Sequence, residues 1–319
     1  MLRLALSIVL FNLTIVSLLS LDARLAETRA DDAADCNKGR GDTQIRGCSQ
    51  IIESRRLSGK PISKQRLAIA HTHRGLAYDK KGDYDRAIAD FDTAIRLNPK
   101  NAWAYKNRAI AYANKGDLDR AIEDYNTAIK LNPKYTKAYY NRGSAYDDKG
   151  EFDRAIQDYD KAIKLNPKDA EVYNNRGVAF RMKGEFDRAI QDYDKAIRLD
   201  PKDAGVYKNR GAAYGSKGEY DHAIADYDEA IRLNPKIAIA YYNRGLAYGK
   251  KGEFDRAIAD FDTAIKLNPK YTQAYSNRGT AYRKKGDRER AIADYRKALA
   301  LDPSHELAGE NLKALGGTP

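Results

Sequence analysis

Proline recurs at Pro99, Pro133, Pro167, Pro201, Pro235, Pro269 and Pro303, a constant step of 34 residues. A fixed period of this length marks an array of supersecondary units, each burying its apolar face only against its neighbours. Proline cannot continue a helix, so each one marks where a unit stops.

With proline at position 32 of the unit, repeats run 68–101, 102–135, 136–169, 170–203, 204–237, 238–271 and 272–305. Position 8 is Gly75, Ala109, Gly143, Gly177, Gly211, Gly245 and Gly279. Position 11 is aromatic from Tyr78 to Tyr282, and position 24 from Phe91 to Tyr295; positions 20 and 27 are alanine throughout. A two-helix hairpin sets 8 against 24 and 11 against 20, so each ring meets a small residue and the helices pack closely. Glycine at position 15, from Gly82 to Gly286, ends the first helix because it enters the left-handed region at little cost. Asp or Glu at 16 and an acid at 18 then open the second helix as caps or dipole partners.

This pattern of small and aromatic positions over 68–305 resembles the tetratricopeptide repeat (TPR) family. The resemblance implies an all-α fold, a right-handed superhelical solenoid of seven helix-turn-helix repeats. Two flanking pieces close it. Residues 31–67 hold a half-repeat in which Asp42 to Ile45 aligns with Asp85 to Ile88 and Cys48 takes the place of Phe91, followed by a basic loop from Ser54 to Lys64. Residues 306–319 hold a capping helix and tail, with Leu312 and Leu315 inward and Glu306, Glu310 and Lys313 outward.

Leu4 to Leu21 is an uncharged, largely apolar stretch behind Arg3, which reads as a signal peptide over 1–30 cut before Asp31. The competing reading is an uncleaved anchor over residues 4–21, the only route to membrane contact. Both place the repeats outside the cytoplasm, in the periplasm or secreted. In that setting the sole cysteine pair, Cys36 and Cys48, is more often a disulfide than a metal site or nucleophile.

Position 7 is arginine and position 23 aspartate in every repeat, Arg74 to Arg278 and Asp90 to Asp294. The hairpin that sets 8 against 24 also brings 7 near 23, so an internal ion-pair ladder is expected; solvated or ligand-facing arginines are the alternatives. Arg288 at position 17 replaces the apolar residue of the other repeats, which suits the end of an array.

In the TPR family the first helices line a concave face and present positions 2, 5, 6, 9, 12 and 13. Position 6 here is Asn107, Asn141, Asn175, Asn209, Asn243 and Asn277 after His73. This column resembles the asparagine ladder in the TPR superhelix of O-linked N-acetylglucosamine transferases, and a primary amide matches the donor and acceptor of an extended peptide backbone. Trp103, Lys106, Tyr140, Lys208 and Tyr242 flank it and vary between repeats. The carboxylate clamp of other TPR proteins is poorly met, with Ile110 and Glu171 at two of its positions. The expected function is a non-enzymatic scaffold for a protein or peptide partner.

The alternative is a structural or charge-driven surface protein that binds acidic polymers or lipids. It draws on the net charge of +12 and on an edge with lysine at position 14 and arginine at position 19. Acids at 16 and 18 sit beside that edge, and the tyrosines fall in packing columns, so nucleic acid is not expected as a partner. His71, His73, His222 and His305 form no readable catalytic or metal motif, and no cofactor is expected.

Overall fold

The computed structural model describes residues 33–57 and 60–318. The expected signal peptide over 1–30 lies outside the described residues. The chain divides into two compact units, Met1–Glu151 and Phe152–Pro319. The first holds α1 (Asp42–Ser54), a two-residue hairpin of β1 (Arg56–Leu57) and β2 (Lys60–Pro61), α2 (Lys64–Lys80), α3 (Tyr84–Leu97), α4 (Ala102–Asn114), α5 (Leu118–Leu131) and α6 (Thr136–Asp148). The second holds α7 (Phe152–Leu165), α8 (Ala170–Met182), α9 (Phe186–Leu199), α10 (Ala204–Lys217), α11 (Tyr220–Leu233), α12 (Ala238–Lys250), α13 (Phe254–Leu267), α14 (Thr272–Lys284), α15 (Arg288–Leu301) and α16 (Glu306–Ala314). Within each unit consecutive helices pack together, and the first helices of neighbouring repeats also touch: α2 with α4 and α4 with α6, then α8, α10, α12, α14 and α16 in series. These are the consecutive helix pairs of a TPR solenoid, with first helices sharing one face of each unit.

Sequence dictates the hairpins directly. A Cβ built on Gly75 would lie 2.7 Å from the Phe91 ring, and one on Gly177 would lie 2.8 Å from Tyr193, so the ring packs against bare backbone. At the turn, position-15 glycines take φ between 75 and 89°. The next residue then turns its N–H back into the helix, as Asp117 does to the Tyr112 carbonyl at 2.9 Å. Asp83, Asp117 and Asp287 cap the second helices by accepting the N–H of Arg86, Arg120 and Arg290. Glu185, Glu219 and Glu253 do not cap. Their extra methylene carries the carboxylate to the lysine two residues earlier, as in Glu219 to Lys217 at 2.6 Å.

At the N-terminal end α1 stands where a second helix belongs. Asp42 accepts from Lys81 at 2.5 Å and Ser49 from Arg74 at 3.0 Å, the contacts that Asp85 and Asp92 make with Lys115 and Arg108 one repeat later. Cys48 is fully buried and bonded to Cys36, with Cα atoms 4.5 Å apart. Within the basic loop expected from Ser54 to Lys64, Arg56 pairs with Pro61 and Leu57 with Lys60. That hairpin lays Leu57 and Ile62 on the core around Cys36, Cys48, Ile51 and Ala70. At the other end α16 buries Ala308 and Leu312 against Tyr295 and Ala298 and leaves Glu306, Glu310 and Lys313 exposed. Arg288 donates to the Leu315 carbonyl, one of the acceptors left open where the last helix ends.

Candidate functional site

Two charged columns are occupied internally. Arg176 forks onto Asp192, with Nε and Nη2 donating to the two carboxylate oxygens at 2.7 Å each, while Nη1 donates to Asp160 of the preceding repeat. Arg108, Arg210, Arg244 and Arg278 repeat this three-way pattern onto Asp124 and Asp92, Asp226 and Asp194, Asp260 and Asp228, and Asp294 and Asp262. Hydrogen bonds donated to Asp260 hold the Arg244 guanidinium above its ordinary pKa against the opposing effect of burial. These arginines are structural, tying each hairpin to itself and to the repeat before it.

The edge is paired in the same way. Lys115, Lys149, Lys183, Lys217, Lys251 and Lys285 each meet position 18 of the preceding repeat, from Asp85 to Asp255. Arg120 and Arg188 bind the acid at position 16, and their guanidinium carbons also lie 4.5 and 3.9 Å from the ring centroids of Tyr112 and Phe180.

The shared face of the first helices carries the asparagine column, and the structure gives its members different surroundings. Asn107 is 2% exposed and neither of its amide atoms has a hydrogen-bond partner, so it is buried in the first unit rather than presented. The residue sixteen before it is Phe91, which has no hydroxyl to offer, where Asn141 and Asn243 have Tyr125 and Tyr227. Trp103 stands one turn before Asn107 and meets the His73 ring edge-on at 5.3 Å. Lys106 is half-buried, and burial together with repulsion from Lys137 brings its pKa down to about 8. Tyr140 is partly buried on α6.

In the second unit the amides link across repeats. Asn174 donates to Asn175 at 3.0 Å and accepts from Asn209 at 2.9 Å, while Asn277 donates to the Tyr242 hydroxyl at 3.0 Å and to the Gln273 carbonyl at 2.9 Å. Tyr242 is held by the Tyr271 ring at 4.8 Å. Lys208 is half-buried and its pKa is lowered by burial and by Arg181. Beside the column are two hollows: one of about 290 Å³ bordered by Gly215, Tyr227, Asn243 and Leu246, and one of about 570 Å³ bordered by Leu246, Gly249, Phe254, Phe261, Asn277 and Lys284.

Profiles described as tetratricopeptide repeat match residues 73–136, 140–204, 192–225, 238–271 and 272–305, and one described as TPR repeat matches 214–252. The chain is a tetratricopeptide repeat protein. Among solved structures it is similar to a tetratricopeptide repeat protein from Parabacteroides merdae, at 24% identity and a TM-score of 0.62 over 78% of this chain and 99% of that one. It is also similar to the C-terminal part of a TPR repeat-containing protein from Cytophaga hutchinsonii, at 25% identity and TM-score 0.60 over 75% and 98% of the two chains. A third similar structure is YrrB, described as a TPR protein with an unusual peptide-binding site, at 26% identity and TM-score 0.50 over 60% and 99%. No curated protein matches the chain.

Two further columns of this TPR protein gain content from the structure, the first with no role expected from its sequence and the second expected there only as a concave-face position. One is position 25, which accepts the third arginine hydrogen bond; aspartate there in Asp92, Asp160, Asp194, Asp228 and Asp262 is the signal that reveals it. The other is position 12, which changes character along the array: Asp79, Ala113 and Asp147 in the first unit, then Arg181, Gly215, Gly249 and Arg283 in the second. Asp147 is pushed up to about 6 by burial and by the neighbouring Asp148, and its Oδ1 is buried without a partner. Histidines serve structure: His71 bonds Asp90 at 2.8 Å, His222 lies 5.0 Å from the Tyr214 ring, and His305 accepts the Ala308 N–H at the start of α16.

Proposed function

We propose that this TPR protein is a non-enzymatic scaffold that receives an extended peptide segment, or an envelope assembly partner, on the face shared by its first helices. One observation carries the reading. In the second unit Asn175, Asn209, Asn243 and Asn277 recur on successive first helices, next to side chains that differ at each step, namely Asn174, Lys208 and Tyr242. Repeated amides suit a repeating backbone and varied neighbours select among side chains. The peptide-binding site named for YrrB supports the same use of the fold. A charge-driven surface role gains nothing from the edge, whose lysines are matched by aspartates of the preceding repeats.

An extracytoplasmic location is part of the proposal, supported by the apolar Leu4 to Leu21 stretch and by the Cys36–Cys48 disulfide, which persists in oxidising compartments. The test is a pull-down from envelope extract with wild type and with Asn141, Asn175 and Asn209 each changed to alanine. Partners held by wild type and lost by the triple variant support the groove; an unchanged set overturns it. Retention in higher salt separates a hydrogen-bonded groove from a charge-driven surface, which releases its partners as screening rises.

A further inference from the structure

The larger hollow of the second unit, about 570 Å³ between α12, α13 and α14, exists because two columns change there together. At position 12 most repeats carry a side chain, among them Asp79, Asp147, Arg181 and Arg283, whereas repeat six has Gly249. A Cβ built on Gly249 meets nothing within 4 Å, so no neighbour fills the space. At position 24 Tyr125, Tyr159, Tyr193, Tyr227 and Tyr295 carry a hydroxyl, but repeat six has Phe261. The wall made by Phe261, Phe254 and Leu246 is therefore apolar.

The rim has the opposite chemistry. Lys251 is neutralised by Asp221 and Glu253, at 2.5 and 2.9 Å. Lys250 and Lys284 are exposed at the hollow, and neither has a carboxylate partner among the described residues. Asn277 uses its amide N–H groups on Tyr242 and Gln273, which leaves its Oδ1 to accept a backbone N–H.

We propose that this hollow is a side-chain pocket for an aromatic residue of an extended acidic peptide, with the ring against Phe254, Phe261 and Leu246 and flanking carboxylates on Lys250 and Lys284. An aromatic ring brings a large apolar area and gains from offset or edge-on contact with the two phenylalanines. The acidic flanks follow from two unmatched ammonium groups of one sign. The assignment rests on the scaffold reading and narrows it to one site and one class of segment.

The test is fluorescence anisotropy of the full chain with a labelled nonapeptide in which one phenylalanine sits between Glu-Asp pairs and serine fills the remaining positions. Binding at least tenfold tighter than the same probe with alanine for phenylalanine is expected. Gly249→Leu, which fills the hollow, removes that discrimination. The exposed double variant Lys250→Glu with Lys284→Glu weakens the acidic probe at least tenfold and favours a probe with lysine flanks; far-ultraviolet dichroism confirms that both variants fold. Equal binding of the two probes to wild type, discrimination that survives Gly249→Leu, or a probe that does not bind at all overturns the pocket. In any of these cases the groove reading still stands if the asparagine triple variant loses its envelope partners, and falls with the pocket if it keeps them.

Discussion

Arg176 lies between two carboxylates of unequal burial. Asp192 is 8% exposed at its side chain and takes two hydrogen bonds, while Asp160 is 55% exposed and takes one. Deleting the buried partner leaves a guanidinium that is itself 19% exposed without its fork. Asp192→Ala therefore costs about 3 kcal/mol, the penalty for stranding one member of a buried pair. Asp160→Ala costs under about 1 kcal/mol, because a solvated partner is screened. Urea unfolding of the two variants distinguishes them, and equal losses would show that the fork carries no special weight. The pairing of positions 7 and 23 was legible in the sequence because it shares the sixteen-residue offset of the ring contact at 8 and 24. The second acceptor was not, because it depends on how neighbouring repeats approach one another, which no periodicity within a single repeat specifies. The same holds for Asn107, whose burial without a partner depends on the side chains that neighbouring repeats set around it.

Glycines on the first helices show how a helix can need the same residue for contrary reasons. Gly177 faces the Tyr193 ring, where even a methyl group would sit 2.8 Å from a ring carbon, whereas Gly249 faces open space. Gly177→Leu overpacks the crossing and lowers stability by about 1–3 kcal/mol. Gly249→Leu keeps or raises stability by up to about 1 kcal/mol, since leucine is the better helix former. Denaturant midpoints of the pair check the contrast; a loss at Gly249 as large as at Gly177 would mean that the hollow is not free. Helix limits were readable from Gly82, Pro99 and their equivalents, because a left-handed turn and a missing N–H stop a helix whatever surrounds it. The tiny hairpin after Ser54 was not readable, since its two-residue strands are too short to show alternation. An acid at the start of each second helix was readable as a cap or dipole partner; which of the two was not, since one methylene carries the Glu185 carboxylate to Lys183 while Asp83 caps the backbone.

Across the array the position-6 column could be located from sequence, but its state could not. Which amides are engaged, buried or left with a free acceptor differs by repeat, as Asn107, Asn209 and Asn277 do. The lysine joints between repeats do not vary in this way, and the arginine joints change only where Ser49 and Asn126 stand in for aspartate. Lys217 meets Asp187 and Lys251 meets Asp221; Arg210 meets Asp194 and Arg244 meets Asp228. Excising residues 204–237 thus lets Lys251 take Asp187 and Arg244 take Asp194. The shortened chain is expected to keep its ellipticity per residue at 222 nm and to unfold at a lower urea concentration, as a shorter nearest-neighbour array does. Loss of helicity or aggregation would show that the joints are not interchangeable. Because one lysine–aspartate coupling serves every junction from Asp42–Lys81 to Asp255–Lys285, a gene of this kind can gain or lose a unit by slippage between near-identical stretches without evolving a new interface. The length of the protein, and with it the reach of whatever it holds, is then a trait that selection can tune in whole steps.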